Sequence, residues 1–283
     1  MQVFHSINQM QDWCLEQKYK GKKIGLVPTM GCLHEGHLAL VQEACRQCDV
    51  VVVSIFVNPI QFGVGEDFDR YPRDLVKDRE LLETTTRADL IFAPSIQEMY
   101  PPGYQTSVDV TGEITEKLCG ASRPGHFRGV STVVSKLFLI CQPDLAFFGQ
   151  KDAQQVAIIE KMVRDLNFPL QIVRVPIVRE VDGLALSSRN IYLDDQQRQE
   201  ALVLNQALKT AEQAVRDGER DVNVIREILV GVIEKSPQAR IDYAEVYRAE
   251  DLADLPEIKG RVLMAVAVKF GNTRLIDNRL VEV

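Results

Sequence analysis

A chain of 283 residues, 46% apolar and 26% charged, has enough apolar material for one large or two modest cores. Its net charge of −7 and pI near 5.3 exclude a general nucleic-acid or membrane-surface binder, so an anionic ligand must find a local cationic pocket. It has no apolar run of about 18 residues for a membrane span and no basic and apolar leader at Met1-Gln2-Val3-Phe4, and its six scattered cysteines (14, 32, 45, 48, 119, 141) read as reduced thiols, so a cytoplasmic protein is expected.

The first 175 or so residues alternate between two patterns. Apolar, β-branched runs predict strands over 23–27, 50–57, 90–93, 107–110, 144–148 and 170–175. Helical spacing predicts helices over 7–18, 36–47, 74–86, 130–141 and 153–166. Such alternation predicts a doubly wound parallel sheet, the Rossmann-like α/β class. Residues 50–57 are nearly all apolar, as a strand buried on both faces requires. The pattern changes near Pro176. Residues 178–186 read as a tight hairpin turning at Asp182-Gly183, followed by helical stretches over 194–217 and 222–235 and strands over 241–247 and 262–270. The expected division is therefore a Rossmann-like domain over 1–176 and a smaller C-terminal α+β domain over 177–283.

In open α/β sheets, ligands bind beyond the carboxyl ends of the strands. After the first strong strand comes Pro28-Thr29-Met30-Gly31-Cys32-Leu33-His34-Glu35-Gly36-His37, a glycine-bearing turn entering a helix. Unpaired N–H groups and the helix dipole make such a turn an anion site, and two histidines stand in it. After the next strand comes Asn58-Pro59-Ile60-Gln61-Phe62-Gly63, rich in amides. Gly149-Gln150-Lys151-Asp152 is a third such loop, with Gln155 on the same side of the following helix as Asp152. Ser187-Ser188-Arg189 follows the hairpin. The four loops offer Gly, His, Lys, Ser and Arg for a triphosphate, plus two amides for a polar small substrate.

Each piece has a plainer reading. His34-x-x-His37 also fits a surface turn, and as a zinc site it lacks the His-Glu-x-x-His spacing and a third ligand. Gly149–Asp152 and 187–189 also fit ordinary helix starts. Cys45-x-x-Cys48 has no partner pair and reads as packed or idle thiols. Asp67, Asp69, Arg70, Arg73 and Asp74 read as a solvated charged face, and 123–129 as a basic, glycine-punctuated loop.

Together the pieces say more than any one alone. Residues 28–37, 56–63, 123–129, 148–155 and 186–190 resemble, in order and spacing, the signatures of the pantothenate synthetases (pantoate–β-alanine ligases), and the likeness spans essentially the whole chain. Residues 34–37 also look like the His-x-Gly-His signature of the wider nucleotidyltransferase superfamily. The resemblance implies ATP-dependent condensation of (R)-pantoate with β-alanine through a pantoyl adenylate, giving AMP and diphosphate, with Mg²⁺. It implies an ATP site of Met30, Gly31, Cys32, Leu33, His34, Glu35, Gly36, His37, Gly149, Gln150, Lys151, Asp152, Val178, Leu186, Ser187, Ser188 and Arg189, with His37 conventionally the catalytic residue. It further implies that Gln61 and Gln155 hold pantoate, that Gln61 also lies near β-alanine, and that Arg123 lies near the site. Partners are implied to be small molecules, with a homodimer through the N-terminal domain. Cys32, Gln150 and Leu186 stand where Ala, Glu and Met are common in the family. Gln150 removes a negative charge beside Lys151, which weakens a metal role there, and no Mg²⁺ ligand is assigned.

These residue types suit the reaction. Attack of one anion on another needs preorganised positive charge, a role expected of His34, His37, Lys151 and Arg189 with Mg²⁺. Amides offer donors and acceptors to the hydroxyls of pantoate without adding charge. The C-terminal domain is expected to act as a lid that keeps water from the adenylate. Two rival readings are another nucleotidyltransferase, whose anionic acceptor would want a base in the Asn58–Gly63 loop, and a noncatalytic nucleotide sensor, which would be expected to lack one of the four charged or imidazole groups.

Overall fold

A computed structural model describes the whole chain, Met1–Val283. Its elements run β1 (Gln2–Phe4), α1 (Ile7–Tyr19), β2 (Ile24–Thr29), α2 (Glu35–Gln47), β3 (Val50–Ile55), α3 (Leu75–Thr85), β4 (Leu90–Phe92), α4 (Ile96–Met99), α5 (Glu113–Glu116), α6 (Leu118–Ser122), α7 (His126–Cys141), β5 (Leu145–Gly149), α8 (Ala153–Asp165) and β6 (Gln171–Val175). After the hairpin come α9 (Asp195–Glu200), α10 (Val203–Arg216), α11 (Val222–Ile233), β7 (Ala239–Arg248), β8 (Arg261–Phe270) and β9 (Thr273–Glu282). Short 3₁₀ turns occupy Pro59–Gln61, Gln150–Asp152 and Ser188–Tyr192.

The chain forms two compact units. One comprises Met1–Thr111, Arg123–Gly149 and Ile158–Pro176, the other Gly112–Ser122, Gln150–Ala157 and Ile177–Val283. A division at 176/177 alone therefore leaves out two earlier segments. Buried Gln154 joins these two, accepting from Cys119 N at 2.9 Å and donating to Ile114 O and Lys117 O at 2.9 and 2.7 Å. Lys117 in turn reaches Leu252 O at 3.0 Å and Asp254 at 3.1 Å.

The first unit is built on a six-stranded parallel sheet of order β1-β4-β3-β2-β5-β6. Strand order reverses at β2, which pairs with both β3 and β5, so the chain winds outward from it in both directions. Val50, Val51, Val52 and Val53 are almost wholly buried, as their β-branched run predicts for a strand covered on both faces. The predicted strand over 107–110 is absent. There the Val108 N–H donates to the Thr132 hydroxyl of α7 at 3.0 Å, and that hydroxyl also lies 3.3 Å from Val108 O. A side chain thus satisfies the backbone that a strand would need to pair. The predicted helix over 130–141 begins earlier, at His126, after Gly125 with φ +80°.

The second unit carries an antiparallel sheet of order β7-β8-β9. α10 and α11 contribute Leu204, Leu208, Ala211, Ile225 and Leu229 to its core, against Val246, Met264, Val266 and Phe270. The spacing of these helical residues makes one apolar stripe on each helix. β9 escapes sequence reading because Arg274, Asp277, Asn278 and Arg279 interrupt its apolar positions. Gly271 and Asn272 make the two-residue turn from β8, with Phe270 paired to Thr273. The single helix predicted over 194–217 is divided into α9 and α10 at Ala201 and Leu202.

Candidate active site

The turn after β2 leaves the sheet at its topological switch point. Gly31 has φ +82°, and a Cβ there would lie 2.9 Å from Asp78 Oδ2 and 3.0 Å from Ile55 Cγ2. Cys32 also has positive φ, +51°, a conformation that costs a non-glycine residue about 1–3 kcal/mol. Asp78 of α3 offsets this by accepting from Cys32 N at 2.9 Å and Leu33 N at 2.7 Å. Burial, countered only in part by those two N–H groups, pushes the Asp78 carboxyl above its usual value. Asp78 is not among the site residues expected from the sequence. One signal was available: it falls between Leu75 and Leu82 on the apolar stripe of its helix.

His34 is the N-cap of α2, in extended backbone, and its Nδ1 accepts from Gly36 N at 3.1 Å. His37 reaches back, its Nδ1 lying 3.4 Å from His34 N, so the two imidazoles form a reciprocal capping box. Their ring centroids are 4.1 Å apart. With each Nδ1 accepting a backbone N–H, the ring proton of the neutral imidazole stays on Nε2. The sequence therefore places two N–H donors at a helix N-terminus, where the dipole already favours anions.

The amide loop after β3 folds as the 3₁₀ turn Pro59–Gln61. Buried Asn58 donates through Nδ2 to Gln61 Oε1 at 3.0 Å and Gly129 O at 3.1 Å. Its Oδ1 accepts from the Tyr100 hydroxyl at 2.7 Å. Gln61 Nε2 approaches the Met30 sulfur at 3.3 Å, which brings the predicted Gln61 and Met30 together. Gly129 admits no side chain, since a Cβ would lie 2.4 Å from Ile60 O and 2.6 Å from Gln61 Cα. The loop over 123–129 supports the same turn. His126 Nδ1 lies 2.8 Å from Gln61 O, and Arg123 spans His126 Nε2 at 3.0 Å and both oxygens of Glu66 at 2.7 and 2.5 Å. Burial raises the Glu66 carboxyl, but Arg123 outweighs it and holds the group below its usual value. Asn58 and Tyr100 were not predicted as supports; Tyr100 lies 42 residues from Asn58, with no local pattern linking them.

In the second unit, Gln150–Asp152 and the hairpin are held by neighbouring residues of one strand. Asn278 of β9 donates to Gln150 O and Lys151 O, each at 2.9 Å, and its Oδ1 lies 3.2 Å from Gln150 Nε2. Asp277, beside it, accepts both Arg179 Nη1 and Nη2, at 2.7 and 2.8 Å. The hairpin closes through Leu186 N to Val178 O at 3.0 Å and a bridge between Arg179 and Ala185, with Gly183 at φ +100° in its turn. Ser187 then accepts from Arg189 N at 3.2 Å, opening the 3₁₀ turn Ser188–Tyr192. Thus β9 brings together the two stretches of this unit expected at ATP, Gln150–Asp152 and 178–189. Lys151 Nζ is 3.8 Å from Asp152, and Gln155 is half-buried one residue beyond Gln154.

The first unit carries Met30–His37, Gln61, Arg123 and Gly149, and the second carries Gln150, Lys151, Asp152, Gln155, Val178 and Leu186–Arg189. Burial pushes the Cys45 thiol up and the Cys48 thiol to about 11, so at neutral pH neither is an activated thiolate.

A family model described as pantoate-beta-alanine ligase matches residues 2–280. A pantothenate synthetase of Syntrophomonas wolfei is 65% identical over 283 residues, covering 100% of both chains. That of Heliobacterium modesticaldum is 56% identical over 283 residues, again covering 100% of both. Among solved structures, the crystal structure of pantothenate synthetase from Thermus thermophilus superposes with a TM-score of 0.93 at 45% identity, covering 99% of each chain. Pantoate-beta-alanine ligase from Francisella tularensis, complexed with beta-gamma ATP and beta-alanine, gives a TM-score of 0.81 at 34% identity, covering 99% of this chain and 97% of that one.

Proposed function

The chain belongs to the pantoate-beta-alanine ligase family, and from that premise we propose how its residues carry the reaction. It is an AMP-forming ligase that joins pantoate to β-alanine with ATP. The pantoate carboxylate oxygen attacks the α-phosphorus, the bond to the bridging oxygen breaks, and pyrophosphate leaves. The amine of β-alanine then attacks the acyl carbon of pantoyl adenylate, losing a proton as AMP departs. Activation is needed because a free carboxylate has no competent leaving group.

The observation that carries the assignment is the reciprocal capping of α2 by His34 and His37. Their Nε2–H groups, set at the positive end of the α2 dipole, form a donor array held in place by the capping box as charge grows on the phosphates. Met30 through His37 and Gly149 in the first unit, and Gln150 through Asp152, Val178 and Leu186 through Arg189 in the second, are the residues we assign to ATP. Lys151 and Arg189 supply positive charge to the departing pyrophosphate. Gln61 and Gln155 hold pantoate, and Gln61 also borders β-alanine. Arg123 acts through the Gln61 turn, whose carbonyl it and His126 approach.

Mg²⁺ accompanies ATP in this reading. Asp152, whose carboxylate is 3.8 Å from Lys151 Nζ, would be the hard oxygen donor offered to such an ion. When bound, the ion neutralises charge on the leaving pyrophosphate. We read the protein as a cytoplasmic homodimer; light scattering on the purified chain tests the dimer, and cell fractionation tests the location.

The test of function is pyrophosphate release from ATP and Mg²⁺. Pantoate alone should give one stoichiometric burst, and added β-alanine should convert it to sustained formation of AMP and pantothenate. Protein that binds ATP yet releases no pyrophosphate with pantoate would refute the reading.

A further inference from the structure

We propose that Tyr100 is a positioning residue for the acid substrate: together with Gly129 O it holds the Asn58 amide that decides which end of the Gln61 amide faces the ligand. The proposal rests on the assignment of Gln61 to pantoate above and adds the direction of that contact.

The hydrogen-bond chain from Tyr100 to Gln61 has a polarity set by chemistry. A backbone carbonyl only accepts, so the Asn58 group 3.1 Å from Gly129 O must be its NH₂. Asn58 Oδ1 is then directed to Tyr100, whose hydroxyl donates at 2.7 Å. The second N–H of Asn58 reaches Gln61 Oε1 at 3.0 Å. With its oxygen engaged, Gln61 presents NH₂ on its other side, beside the Met30 sulfur at 3.3 Å. Thioether sulfur is a weak acceptor, so those N–H groups retain donor capacity for a ligand. A donor-only face selects carboxylate or hydroxyl oxygens, and a 2,4-dihydroxy acid offers both.

The supports of this chain are rigid. Asn58 is 1% exposed, so water does not readily replace a lost partner. The missing side chain of Gly129 lets α7 close on the Ile60 and Gln61 backbone. The Tyr100 ring is packed against Phe56 and Tyr104, with centroids 6.1 and 5.0 Å away, and the Lys136 ammonium is 5.8 Å from its centroid. Burial keeps its phenol protonated, hence a donor. Removing the hydroxyl alone leaves that packing intact but strips Asn58 Oδ1 of its partner, so Gly129 O alone is left to hold the Asn58 amide that orders Gln61.

The test is steady-state kinetics of Tyr100→Phe, Gln61→Ala and Gln61→Glu, with each substrate varied in turn. Tyr100→Phe should raise KM for pantoate about tenfold, the scale of one hydrogen bond, while kcat and KM for ATP stay within about twofold. Gln61→Glu places an anionic oxygen where NH₂ stood, and should weaken pantoate more than Gln61→Ala does. A merely structural role for Tyr100 would instead move KM for ATP, kcat and the melting temperature together, and that result would overturn the proposal. So would an unchanged pantoate KM in Tyr100→Phe, or Gln61→Glu using pantoate as well as wild type. If wild-type protein shows no pantoate-dependent pyrophosphate release, the ligase reading falls and the proposal with it. A pantoate-dependent wild type with an indifferent Tyr100→Phe overturns the proposal alone.

Discussion

The Asp78 carboxylate accepts the Leu33 amide at 2.7 Å across 45 residues of chain, fixing the turn that delivers His34 and His37. Its other oxygen takes the Cys32 amide, so one buried side chain spans the two residues at which the backbone leaves β2 for α2. Asparagine at 78 would keep one acceptor but set its NH₂ against the second N–H. Asp78→Asn should lower kcat/KM for ATP by about tenfold or more, the loss of one charge-assisted hydrogen bond, while the fold persists. Kinetics beside circular dichroism check this; normal ATP kinetics would reject Asp78 as a brace.

Two carboxylates should respond to pH in opposite senses. Glu66 lies below its usual value of 4.5, so its pairing with Arg123 stabilises the fold above that pH and the contribution is lost as pH falls through the depressed value. Asp78 lies above its usual value of 3.8, so the fold favours its protonated form, and stability falls as pH rises from 3.8 through the raised value. Urea titrations from acid to neutral pH should show Glu66→Gln converging on wild type at low pH. The same titrations should show the stability of Asp78→Asn relative to wild type improving as pH rises.

His37→Ala removes one donor of the array and one arm of the capping box. We expect kcat to fall by about 10²–10³, as for loss of one preorganised donor to a transition-state oxyanion. Single-turnover pyrophosphate release reads the adenylation step directly, and a fall confined to β-alanine transfer would place His37 elsewhere in the cycle.

Arg179 and Asp277 form a two-pronged ion pair in which the Asp277 side chain is only 2% exposed. Arg179→Ala would leave a buried carboxylate unpaired, at a cost of about 3–5 kcal/mol. Urea unfolding should show that loss, and Arg179→Ala with Asp277→Asn should recover part of it. The single variant should also weaken ATP, because the Arg179 hairpin leads into Ser187–Arg189.

Sequence alone determined the features that local physics writes into consecutive residues. The valines at 50–53 announce a strand buried on both faces, and Gly31 followed by His34 and His37 announces a helix start with donors at its mouth. The Asp182-Gly183 turn was legible because only a few residue types adopt its backbone. Tertiary structure alone decided the rest. Residues 107–110 read as a strand, but the Thr132 hydroxyl takes the Val108 amide. β9 hides because its buried Asp277 and Asn278 look like loop residues until Arg179 and the Gln150–Lys151 carbonyls are found beside them. Asp78, Asn58 and Tyr100 likewise act on partners far away in the chain. A buried polar group is stabilised by its partner rather than by its neighbours in sequence, so periodicity can mark its burial, as for Asp78 on the apolar stripe of α3, but never names the partner until the chain folds.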